Sequence, residues 1–175
     1  GPVFDEFSFA EAIDVGAIVD YEILIMALND EDIQNFKELN GASEVDGRPV
    51  QNKDIAITIG TEKLMSEETY EVDKAINFSN TISRAEGFIK NIEIPGIDIN
   101  VFGIAASISS KQSTSKRKAI MEEFRKAENA IISNARCLTE GVDVPDVDAV
   151  IFSDKKQSPI DIVQAVGRAL RVNKN

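Results

Sequence analysis

Gln164, Arg168 and Arg171 recur at helical spacing, and of all the side chains in this sequence theirs are best suited to chemistry. They fall in the run Ser158-Pro159-Ile160-Asp161-Ile162-Val163-Gln164-Ala165-Val166-Gly167-Arg168-Ala169-Leu170-Arg171. Ser158 suits an N-cap, Pro159 suits the first helical position, and Asp161 completes a capping box, so the sequence predicts a helix here. At about 100° per residue, the i, i+4, i+7 spacing puts Gln164, Arg168 and Arg171 on one narrow stripe. Ile160, Val163, Gly167 and Leu170 form the neighbouring stripe, which is expected to face a core. Two guanidiniums beside an amide make a fixed fork of donors, suited to a multiply charged oxyanion such as the γ-phosphate of a nucleotide. The plainer alternative is a solvated helix face with two ordinary arginines.

Upstream, the apolar run beginning Ile131-Ile132 and the run Ala149-Val150-Ile151-Phe152 flank a polar turn, Thr139-Glu140-Gly141-Val142-Asp143. That order predicts strand, functional loop, strand. Gly141 lets the backbone approach a ligand closely or adopt positive φ. Thr139 offers a hydroxyl to a phosphate. Asp143 can accept from a ribose hydroxyl, or it is a turn residue before Val144-Pro145. Cys137 reads as a small packing residue. The loop Asn134-Ala135-Arg136-Cys137-Leu138-Thr139-Glu140-Gly141-Val142-Asp143-Val144-Pro145 and the Gln164…Gly167-Arg168…Arg171 helix together closely resemble motifs V and VI of superfamily 2 helicases and translocases. The wording is similar to bacterial DEAD/DEAH-type helicases related to restriction-enzyme motor subunits.

The resemblance implies the C-terminal, second RecA-like domain of such an enzyme: a three-layer α/β/α fold with a mainly parallel sheet. In that family the ATP site is divided between two RecA-like domains. The resemblance makes Arg168 and Arg171 arginine fingers, with Gln164 contacting the nucleotide or organising them, and puts Gly141, Asp143 and Gly167 near the nucleotide. Thr139 would hold a strand phosphate, together with the strand-end loops at Ser79, Asn80 and Thr81 (the motif IV position) and at Ser107 and Ser109. No GxxxxGK[ST] phosphate loop and no DEAD/DEAH-type Asp-Glu pair is present. ATP and Mg2+ are therefore expected to be held mainly by a first RecA-like domain outside this sequence, and no cofactor or metal by this chain alone. The expected partners are that first domain and DNA, the latter bound weakly. The competing reading is a non-catalytic α/β interaction or binding module with a degenerate motor fold.

At 175 residues, with 43% hydrophobic and 28% charged residues, the chain suits one well-buried domain. It opens Gly1-Pro2-Val3-Phe4 and carries its strongest motif near its end, and so reads as a domain excised from a longer protein. One cysteine and no histidine leave neither an internal disulfide nor a zinc ligand set, and a reducing, cytoplasmic setting is expected. No apolar run approaches the ~20 residues that span a bilayer, so no membrane association is expected. The net charge of −11 opposes strong nucleic-acid binding through bulk electrostatics. A motor domain can still grip a strand through a few amides and hydroxyls. Lys111, Lys116, Arg117, Lys118, Arg125 and Lys126 form a local basic stretch, which also reads as a solvated helix face.

The elements that must position these groups are regular from residue 72 to 172, the motif-bearing core. Residues 1–20 read as a lead-in. Tyr21 to Leu28 is a continuous apolar run, as in a strand buried on both faces of a parallel sheet. Residues 30–40 read as a helix or an irregular acidic segment, 41–52 as a loop, and 54–65 stay ambiguous. Val72 to Phe78 is expected as a strand, with Ser79-Asn80-Thr81 capping a helix to about Ile92. Ile97 to Ala106 is expected as a strand, followed by a helix from about Lys116 to Ala127 with Ile120, Met121 and Phe124 inward. Ala130 to Ser133 and Ala149 to Phe152 complete the strands. Such alternation predicts right-handed βαβ units, with ligands at the carboxyl ends of the strands. Ser79, Asn80 and Thr81 then offer hydroxyls and free amides to a phosphate, or simply cap their helix.

Overall fold

Asn29 opens the first helix: its side-chain oxygen accepts from the Asp32 amide at 2.8 Å, and Asp30, Glu31 and Asp32 set negative charge at the positive end of the helix dipole. This helix, α1 (Asp30–Asn40), ends at Gly41, whose φ of 64° supplies a left-handed cap. The computed structural model describes Glu11, Asp14, Val15 and residues 22–135 and 147–154. After α1 comes a two-stranded hairpin, β1 (Glu44–Val45) and β2 (Arg48–Pro49), where the sequence suggested a loop. Asp46 and Gly47 turn it with φ values of 53° and 72°, the pair of positive angles an Asp-Gly turn adopts readily. The ambiguous stretch is a helix, α2 (Asn52–Ser66).

The expected alternation follows: β3 (Lys74–Ser79), α3 (Ile82–Asn91), β4 (Ile104–Ser109), α4 (Thr114–Lys126), β5 (Ala130–Ala135) and β6 (Ala149–Phe152). The four strands form one parallel sheet in the order β4-β5-β3-β6. Side chains alternate between its faces, as the pleat requires. Ile76, Phe78, Ala130 and Ile132 pack with Met121 and Phe124 of α4 on one face. Ala75 and Ile131 pack with Phe88 of α3, Ile92 at its C-cap and Met65 of α2 on the other. The result is the three-layer α/β/α arrangement with a mainly parallel sheet. A third cluster, Ile33, Ala42, Val50, Ile55 and Ile94, seats α1 and the hairpin against α2.

Two expectations need correction. The run at residues 22–28 is neither strand nor helix, and Ile23 and Ile25 are 78% and 85% exposed. Met26 lies beside Gly60 of α2, Leu28 packs on the third cluster, and Asn29 then ends the segment as a helix cap. An apolar run states a preference for burial but not which surface will provide it. The strand assigned to Ile97–Ala106 starts later, at Ile104. Asp98 caps a single 3-10 turn, Ile99–Phe102, which inserts fully buried Phe102 before the sheet begins. Among the described residues no helix is long and apolar enough to cross a membrane.

Candidate nucleotide and nucleic-acid site

The parallel register brings the carboxyl ends of the strands to one edge: Ser79 and Ser109 both pair with Ala135, and Phe78 pairs with Phe152. Phe78 and Phe152 stack with ring centroids 5.9 Å apart, holding β6 beside β3. Every described candidate residue lies at this edge. Ser79 ends β3, with Asn80 and Thr81 following it, while Ser107 and Ser109 lie within the last three residues of β4 rather than in a loop after it as the sequence suggested. Thr139, Gly141, Asp143, Gln164, Gly167, Arg168 and Arg171 lie outside the described residues. β5 itself ends at this edge, at Ala135.

The candidate side chains are not equally available. Ser79 is 1% exposed, and its hydroxyl accepts from Asn77 Nδ2 at 3.2 Å, so it faces the sheet interior. The Asn80 amide is not free for a phosphate as the sequence suggested: it donates to Asp154 Oδ2 at 2.8 Å. Thr81 is exposed and caps α3, with its Oγ1 accepting from the Arg84 amide at 3.3 Å. After β4, Gln112 folds back on the loop. Its Nε2 donates to the Ser107 carbonyl at 2.9 Å, and its Oε1 accepts from the Ser109 amide at 3.2 Å. Ser109 is only 2% exposed. Ser110 and Lys111, beyond it, are the exposed groups at that end, and sequence reasoning missed them as part of the edge.

Below the edge lies a polar layer that the sequence reading also missed. Asn77, fully buried in the middle of β3, donates through Nδ2 to Ser133 Oγ of β5 at 2.9 Å as well as to Ser79. Ser153 donates to its Oδ1. One amide thus ties β3 to β5 and to the exit of β6, with both its N–H groups donated and its oxygen accepting, the condition under which a buried polar network is stabilising rather than costly. The available signal was an Asn inside an otherwise apolar strand. A second tie runs outside the sheet. Asp154 forms an ion pair with Arg84 Nε, and Arg84 Nη2 stands 3.6 Å from Asp54 Oδ1 of α2.

The helicase conserved C-terminal domain family matches residues 59–173, a span that holds β3 to β6 and both motif segments. The chain belongs to that family, as the C-terminal RecA-like domain of superfamily 2 helicases. The solved structure of the ATP-dependent Type ISP restriction-modification enzyme LlaBIII bound to DNA superposes with a TM-score of 0.70 at 26% identity, over 98% of this chain and 12% of that one. The DEAD-box protein SrmB of E. coli, solved with the regulator of ribonuclease activity A, shares the fold at TM-score 0.55 and 18% identity, over 66% of this chain and 63% of that one. "Probable helicase A859L" of African swine fever virus (isolate Tick/South Africa/Pretoriuskop Pr4/1996) is 25% identical over 97% of this chain and 18% of its own length. The chain therefore spans less than a fifth of that relative.

Proposed function

We propose that this domain is the second motor domain of an ATP-dependent DNA helicase or translocase, supplying arginine fingers to a nucleotide held by a first RecA-like domain and part of the track for one strand. The observation that carries the reading is the family match over residues 59–173, a span that includes the Thr139–Asp143 and Gln164…Arg171 sequence motifs and the parallel sheet whose strand ends share one edge. The likeness to LlaBIII, described as bound to DNA, supports DNA as the substrate strand.

Arg168 and Arg171 would stabilise charge developing on the γ-phosphate, a contribution of ~10³–10⁵ in rate for arginine fingers generally. Gln164 would orient them, and Gly141, Asp143 and Gly167 would line the nucleotide side. Mg2+ would be held mainly by the first domain. Thr139, Thr81 and the loops that follow β3 at Asn80 and β4 at Ser110 would contact phosphates. The inward hydroxyl of Ser79 and the buried Ser109 would hold those loops in shape instead. The single cysteine, Cys137, fits work in a reducing, cytoplasmic setting.

The test is ATP turnover by the full-length protein with and without single-stranded DNA. Turnover that rises with DNA is expected. Turnover that is absent, or indifferent to nucleic acid, would favour the non-catalytic module.

A further inference from the structure

The exit of β6 is held at two successive residues. Ser153 donates to buried Asn77 in the sheet, and Asp154, with a side chain 11% exposed, spends both carboxylate oxygens on the β3–α3 connection. Asp154 Oδ2 takes the Asn80 amide at 2.8 Å, while Oδ1 pairs with Arg84, near the start of α3. Arg84 also reaches toward Asp54 of α2 at 3.6 Å, so one guanidinium spans carboxylates from two elements. Its planar fork can face both, which a lysine's point charge cannot. Beside it lies an open crevice of about 150 Å³ lined by Asp54, Ser83, Arg84, Gly87 and Ser153, which leaves the guanidinium room to shift. Asp154 also stands four residues before Ser158, where the run that carries Gln164, Arg168 and Arg171 begins in sequence.

Resting on the motor reading above, we propose that Arg84 and Asp154 are a positioning pair that transmits strand binding at Asn80 and Thr81 to the chain leading into the arginine-finger segment. A displacement of the Asn80 backbone pulls on Asp154 through a charge-assisted hydrogen bond, and Arg84 keeps that carboxylate aligned as it moves. Neither residue is among those assigned above to the nucleotide or the strand. Their effect falls on the stimulation of turnover by DNA.

The experiment measures ATP turnover of the full-length protein, with and without a single-stranded oligodeoxynucleotide, for wild type, Arg84→Ala, Asp154→Asn and the double variant, beside a thermal melt. The expected result is a loss of DNA stimulation of about 2- to 30-fold, the range for coupling residues, with DNA-independent turnover and KM for ATP unchanged. The double variant should be no worse than the more affected single one, because both break the same link. Arg84→Lys, which keeps the charge and is the milder change should Arg84→Ala fail to fold, should recover only part of the stimulation. Full stimulation in Arg84→Lys and Asp154→Asn overturns the proposal while leaving the motor reading intact. So does an equal fall in turnover with and without DNA, which marks a merely structural pair. A wild-type protein that nucleic acid does not stimulate removes the motor reading, and the proposal with it.

Discussion

The Asn80 amide and the Asp154 carboxylate meet at 2.8 Å although 74 positions separate them in the chain. The contact crosses from the β3–α3 loop to the exit of β6, strands that lie side by side in the sheet. It fixes the loop that the sequence offered as strand contact or helix cap against Asp154, ten residues before Gln164 in sequence. The predictions below follow from this edge of the sheet and from the layers that support it.

Arg168→Ala and Arg171→Ala in the full-length protein should lower DNA-stimulated kcat far more than nucleotide affinity, because the charge-assisted contact forms chiefly in the transition state. Their spacing assigns both to the Gln164 stripe, beside the expected core stripe, so the melting curve should move little, within about 0.5 kcal/mol. Lysine at either position should rescue poorly. Wild-type turnover in both alanine variants would reduce the pair to a solvated helix face.

The 175-residue chain by itself should show no measurable ATP turnover, since its sequence has no phosphate-loop lysine. It should bind single-stranded DNA weakly, with affinity falling as salt rises, because few phosphate contacts oppose a charge of −11. A fluorescence titration across salt concentrations checks the second point. Nanomolar binding that survives high salt would contradict it.

Asn77→Ala should destabilise the fold by about 1–3 kcal/mol, the range for leaving buried polar groups unpaired. It strips the donor from Ser79 and Ser133 and the acceptor from Ser153 together. Urea unfolding of the domain measures the change. A shift below about 0.5 kcal/mol would mean that these hydroxyls find other partners.

Two glycines should respond to alanine in opposite directions. At Gly103, φ is 55° and a Cβ would stand 2.2 Å from the Asn129 carbonyl oxygen, so Gly103→Ala should cost about 1–3 kcal/mol. Gly87 sits within α3 with no atom inside 4 Å of a Cβ, so Gly87→Ala should stabilise by about 0.5–1 kcal/mol. Melting temperatures of the two variants should bracket the wild type, and the same sign of shift in both would refute the assignment.

Much of the architecture was legible from local pattern. Apolar runs such as Ala130–Ile132 and Ala149–Phe152, alternating with capped helices, are enough to require a parallel sheet, because buried strands and crossover helices write different periods. Ser113 and Thr81 marked their helices for the same local reason: each side chain accepts from an amide three residues on. The spacing of Gln164, Arg168 and Arg171 and the Thr139–Asp143 run are likewise patterns within a short stretch of sequence, though they lie outside the described residues. Tertiary structure alone decided which groups at the strand ends stay available. Ser79 and Ser109 look like any exposed serine in sequence, yet packing within the sheet leaves them 1% and 2% exposed. The apolar run at 22–28 shows the same limit, since which surface covers it depends on packing against α2. The Arg84–Asp154–Asn80 link exists only because β6 lies beside β3, a pairing between residues more than seventy positions apart that no local propensity encodes.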